Sequence, residues 1–138
     1  MDAVTRQQVR ERAPFRYEYC HLHQDHEPSR PFHIEQIIAR QHRGDDHPEK
    51  LALACHLCNW HKGPNLTSLD PDTNALTRLF HLRQDKWPDH FRLEGVRIVG
   101  LTDIGKTPLW LLEMNGEERL ELRSILLDAG EIDPTSYA

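Results

Sequence analysis

Two pairs of metal-seeking side chains stand in the first half of this chain: Cys20 and His23, spaced C-x-x-H, and Cys55 and Cys58, spaced C-x-x-C. A turn of that length offers two soft or borderline donors from one side of an ion. Two such turns complete a tetrahedron, the arrangement Zn²⁺ takes in structural sites. Between them lies FHIEQIIARQHRG, residues 32–44, where a carboxylate and an amide, Glu35 and Gln36, are flanked by His33 and His42. Carboxylates and imidazoles are the groups that hold divalent ions and move protons. Residues 20–61 contain all three cysteines and eight of the ten histidines, so the chemistry is concentrated in one stretch. A zinc ion there would also support a small core, because its binding free energy becomes folding free energy.

The elements that must position these residues follow from periodicity and turn signals. VTRQQVRERA, residues 4–13, predicts a short helix that stops before Pro14. YEYCHLHQ reads as a turn holding Cys20 and His23. Residues 32–39 read as a strand, GDDHPEK as a loop, LALACHLC as a second strand ending in a turn, and NWHKG as the opening of a short helix closed by Gly63 and Pro64. Strand, loop, strand and helix make a ββα unit. Beyond it, SLDPDTNALTRLF carries an Asp-Pro-Asp turn and FRLEGVRIVGLT reads as a hairpin. TPLWLLEMN and EERLELRSILLDAG predict two helices, the second with Leu120, Leu122, Ile125 and Leu126 toward a core. Trp60, Phe80, Trp87, His90 and Phe91 are expected to pack rather than to stack on bases, and DIGKTPLW lacks the glycine spacing of a phosphate loop.

Composition bounds the rest. A chain of 138 residues with 38% hydrophobic residues predicts one domain, 1–138. The elements read above make it α+β, with the cysteine turns and ββα unit as a core at 14–66 and the hairpin and helices as a C-terminal extension at 67–138. No apolar run reaches the roughly 18 residues of a membrane span, and the polar start does not read as a signal peptide, so no membrane partner and a cytoplasmic location are expected. Three cysteines in that setting predict metal binding rather than a disulfide framework. The net charge of -5 excludes a generally polycationic nucleic-acid binder. Up to Leu66, however, nine Lys and Arg balance nine Asp and Glu, against eight and thirteen in the remainder, so the front half is the expected phosphate binder.

The succession of EYC, FHIEQIIARQHRG, EKLALACHLCNWHKGPN and LFHLRQDKWPDHF resembles a bacterial HNH endonuclease of the zinc-knuckle type, over most of the chain. The resemblance implies a ββα-metal motif with a zinc knuckle, followed here by a small hairpin and C-terminal helices. It also implies one catalytic divalent ion, Mg²⁺ or Mn²⁺, and hydrolysis of DNA phosphodiester bonds. In that pattern Glu35 falls on the acidic metal ligand and Asn59 on the helix ligand. Gln36 stands where the family has its general-base histidine, Lys50 where it has a loop asparagine, Arg43 where it has a loop glycine, and Tyr17 where it has the first knuckle cysteine. The knuckle then requires Cys20, His23, Cys55 and Cys58.

An amide cannot take a proton from water near neutral pH, so Gln36 implies reduced activity or a substitute base. His33 is one candidate, since residues two apart on a strand share a face and could bring it beside Glu35. His61, His42 and metal-bound water are others. Arg40, Arg43, Lys50 and Lys62 are candidate phosphate contacts, and no set of residues reads base edges, which predicts low sequence specificity. The alternative is a catalytically inactive, zinc-stabilised nucleic-acid-binding or accessory protein on the same scaffold.

Overall fold

Residue 32 begins a strand that carries its chemistry inward. In β1 (Phe32–Gln36) the one fully buried residue is a carboxylate, Glu35, while the antiparallel partner β2 (Leu51–Cys55) is buried at all five positions. Their register runs from Phe32 opposite Cys55 to Gln36 opposite Leu51. The computed structural model describes residues 1–137. Its secondary structure is mixed: five α-helices and three separate two-stranded antiparallel sheets. The contacts cluster into two units, residues 1–65 with 81–84, and residues 66–80 with everything from Asp85 onward. No helix among the described residues is long and apolar enough to cross a membrane.

In the first unit, α1 (Ala3–Arg12) begins at Asp2, whose side chain accepts from the Thr5 N–H, and it buries Val9. Arg12 at its end donates to the carbonyls of Pro48 (2.9 Å) and Leu51 (2.7 Å), tying the helix to the start of β2. A turn at 17–20 follows, closed by the His21 N–H on the Tyr17 carbonyl, and it packs Tyr17, Tyr19, Cys20 and Leu22 into the core with β2.

Two boundaries around the ββα unit differ from the sequence expectation. The strand predicted over 32–39 ends at Gln36, and the chain turns through a 3-10 segment at Arg40–His42. Gly44 then packs so tightly against the backbone that a Cβ on it would lie 1.7 Å from the Ile38 carbonyl oxygen. Arg43, beside it, takes a left-handed backbone (φ 66), a conformation suited to the glycine expected at that place. The second correction is that β2 stops at Cys55 and α2 (His56–Lys62) starts three residues before NWHKG. The cause is local: Cys55 is the N-cap, its Sγ accepting from the Cys58 N–H at 3.3 Å. On this short helix Cys58 and Lys62, four residues apart, face inward. Trp60 falls between them on the outer face and is 74% exposed, so it does not pack as expected.

The second unit contains the hairpin of β3 (Thr67–Leu69) and β4 (Leu76–Arg78), in whose turn Asp70 accepts from the N–H groups of Asp72 and Thr73. After α3 (Trp87–His90), a second hairpin of β5 (Phe91–Glu94) and β6 (Arg97–Gly100) turns at Gly95, φ 60. Phe80, Trp87 and Phe91 pack as rings in the core, and His90 bonds Thr102. Helix α4 (Asp103–Leu111) is capped by Thr102 and begins before the predicted TPLWLLEMN. Helix α5 (Glu117–Asp128) overturns the expected apolar face. Its buried residues are Arg119 and Arg123, whereas Ile125 is 58% exposed. Arg123 donates to the carbonyls of Met114 and Val96 and to Asn115 Oδ1, so the backbone acceptors of the preceding loops draw a guanidinium inward.

Candidate metal centre and Glu35 cleft

Three elements meet at the cysteines. Cys20 closes the turn at 17–20, Cys55 ends β2, and Cys58 lies in the first turn of α2. All three are buried and free of disulfides, and their Sγ atoms lie within 4.8 Å of one another, a grouping able to hold a metal ion. The neighbouring thiols of Cys20 and Cys55, together with burial, push the Cys58 thiol well above the usual range. An ion would have to displace those protons to bind.

His23, the predicted fourth ligand, is not in this group. Its Nδ1 accepts from the Asp25 N–H at 3.1 Å and its own N–H donates to His26 Nδ1, a reciprocal cap on the 3-10 turn at 24–26. The C-x-x-H pair is thus split, Cys20 joining the C-x-x-C cysteines in the cluster and His23 capping a turn.

Glu35 lies on the neighbouring stretch of β1. Lys62, on the last turn of α2, places its Nζ 2.9 Å from Glu35 Oε1, with both side chains about 5% exposed or less. The same ammonium donates to the Ile37 carbonyl, and the Tyr19 hydroxyl donates to Oε1 at 3.4 Å. Glu35 Oε2 is buried and has no hydrogen-bond partner. Burial raises the Glu35 carboxyl above its ordinary value, with Lys62 acting against the rise. Burial, then the Glu35 charge, pushes the Tyr19 phenol well up.

Glu35 is also part of the wall of a cleft of about 430 Å³ that includes Ile34, Gln36, Arg40, Asp46 and Asn59. The structure therefore brings together both residues expected at the catalytic ion, Glu35 and Asn59. It does not bring His33 there. His33 Nε2 sits 3.0 Å from His56 Nδ1 with the two rings stacked, and burial together with His56 lowers its pKa. Neither His42 nor His61 lines the cleft. Gln36 is held by Asp46, its Nε2 donating to Oδ1 at 2.6 Å, while Arg40 donates to Oδ2 at 3.1 Å.

The expected phosphate contacts divide. Arg40 is 75% exposed, Arg43 is exposed, and Lys50 is half exposed beside Asp45. Lys62 is a correction: it is 3% exposed and committed to Glu35, so it cannot meet a phosphate. The sequence did carry a signal for this, because Lys62 is one helical turn beyond Asn59 and so shares its face. Asp46 was missed altogether, although a loop returning from β1 to β2 must pass back over the end of β1. No family model matches this chain, and no curated protein and no solved structure matches it either.

Proposed function

We propose that this chain is a zinc-stabilised, metal-dependent endonuclease of the HNH type that hydrolyses DNA phosphodiester bonds with little sequence preference. The observation that carries this reading is the second oxygen of Glu35. It is buried without a partner, on a side chain whose other oxygen is held by Lys62 and Tyr19, in the wall of a cleft that Asn59 shares. A buried polar atom left unpaired costs about 1–3 kcal/mol, more when charged, and a cation would remove that cost. The donors fit: a carboxylate and an amide oxygen are hard ligands suited to Mg²⁺ or Mn²⁺, and Mg²⁺ keeps several of its waters. When bound, the ion supplies positive charge that polarises the scissile phosphate and steadies the leaving 3′ oxygen.

The chain's own residues divide the remaining work. Glu35 and Asn59 hold the ion, and Lys62 fixes the carboxylate. Arg40, Arg43 and Lys50, all on the surface, meet backbone phosphates, which gives affinity without sequence. Three clustered thiolates favour Zn²⁺, which joins β2, α2 and the Cys20 turn.

A second reading has support of its own: Lys62 already balances the Glu35 charge, and Gln36 cannot act as a base. On that reading the chain binds nucleic acid without cutting it. Incubation of supercoiled plasmid with Mg²⁺, Mn²⁺, Ni²⁺ or EDTA separates the two. Metal-dependent nicking that Glu35→Gln abolishes supports the nuclease. An inert parent whose Gln36→His variant cuts supports the binding protein. Elemental analysis below about half an equivalent of zinc in folded protein removes the structural ion.

A further inference from the structure

With an amide at Gln36, His33 turned to His56, and neither His42 nor His61 in its wall, the cleft lacks all three imidazoles that the sequence offered for deprotonating water, yet it contains a second carboxylate. Asp46 lines the same cleft as Glu35 and Asn59, and its side chain keeps 28% of its exposure, so solvent reaches it. Gln36 Nε2 fixes one of its oxygens at 2.6 Å and Arg40 the other at 3.1 Å. Each carboxylate oxygen can accept more than one hydrogen bond, so both bonds leave capacity for a water proton. Gln36 is thereby not a mere vacancy. It grips a carboxylate from the loop and holds it in the wall of the cleft that Glu35 and Asn59 also line.

Resting on the nuclease reading above, we propose that Asp46 is the general base, with Gln36 as its positioning residue. A cleft water gives one proton to the Asp46 carboxylate as its oxygen bonds to phosphorus. The P–O3′ bond breaks, and the leaving oxygen takes a proton from solvent. Asp46 later returns its proton to water, so no other reactant is consumed.

The Gln36 hydrogen bond, and to a lesser degree Arg40, keep Asp46 below the usual carboxylate range. The charged groups that face it are Arg40, at 3.1 Å, and the Met1 amino group, at 3.6 Å. A base held so low is fully ionised at neutral pH but weak, which makes for slow turnover.

The test compares the parent, Asp46→Asn, Asp46→Glu, and Asp46→Asn combined with Gln36→His, in two measurements: nicking of supercoiled plasmid with Mn²⁺, and Mn²⁺ affinity by calorimetry without DNA. The expected result is a loss of about tenfold to a hundredfold in rate for Asp46→Asn, at or below the bottom of the roughly hundredfold to ten-thousandfold that a positioned base contributes, as a weak base gives. Mn²⁺ affinity should stay within about twofold of the parent, partial activity should return in Asp46→Glu, and the histidine double variant should recover. Nicking by Asp46→Asn at the parent rate overturns the proposal and leaves the nuclease reading standing. A parallel fall in Mn²⁺ affinity overturns it by making Asp46 a ligand. A parent that never nicks removes both readings together.

Discussion

Two glutamates of the first unit, Glu18 and Glu35, each face a cation, and they are used in opposite ways. Glu18 is fully engaged: Arg83 grips it with two bonds, of 2.7 and 3.0 Å, and its Oε2 also accepts from the Leu53 N–H at 2.7 Å. Arg83 in turn reaches the Leu51 carbonyl, so this pair fastens residues 81–84 to the edge of β2. Glu35 is more deeply buried, yet only one of its oxygens is engaged, by a single ammonium and a long contact from Tyr19. The planar fork of arginine saturates a carboxylate, whereas lysine is a point charge that leaves the rest of it open. Saturation marks a clamp, whereas an unengaged oxygen leaves a place for a further ligand, as the proposed function requires.

The sharpest way to break this contrast is Lys62→Met. It strands the Glu35 charge in the core, and urea unfolding should show a loss of about 3–5 kcal/mol, largely recovered in the Glu35→Gln, Lys62→Met double variant. Arg83→Met should cost less, about 1–2 kcal/mol by the same measurement, because Glu18 keeps the Leu53 N–H and lies near enough to solvent to rehydrate. An equal loss from both variants would erase the distinction between clamp and site.

A smaller effect concerns pH. The native Glu35 carboxyl is raised above its ordinary value of 4.5, so between that value and the raised one the folded chain binds more protons than the unfolded chain. The stability it contributes is therefore full below 4.5 and is lost as pH rises through the native value. Measured without divalent ions, the parent should lose stability relative to Glu35→Gln over that rise. The smallest effect is expected from Tyr19→Phe, under about 1 kcal/mol, because Lys62 still holds Oε1 and the hydroxyl contact is long.

The parts of the molecule legible in the sequence are those fixed by neighbours along the chain. Alternating and continuous apolar runs place β1, β2 and α2 to within a few residues, and C-x-x-C announces a thiol cluster able to hold a metal ion, because a turn geometry suffices for both. What was illegible depends on partners distant in sequence. C-x-x-H at Cys20 and His23 has the same spacing, but the ring is taken by the Asp25 and His26 turn. On α5 the leucine and arginine stripes compete for the inward face, and carbonyls of Val96 and Met114 that no periodicity records decide for Arg123. Strand alternation places His33 and Glu35 on one side, but His56 at the start of α2 draws the imidazole away.

Gly44 carries a further consequence for how this chain can change. Its neighbours Asp45 and His47 are polar and outward-facing, and in a stability scan substitutions at them should cost far less than any at 44. At position 44 itself the Ile38 carbonyl leaves no room even for a methyl group. Every replacement must push out the loop that carries Asp46. On a fitness map, the surface loop thus becomes a plateau with one cliff in it, and a lineage can adjust the reach of the cleft through residues on either side but never through the hinge between them.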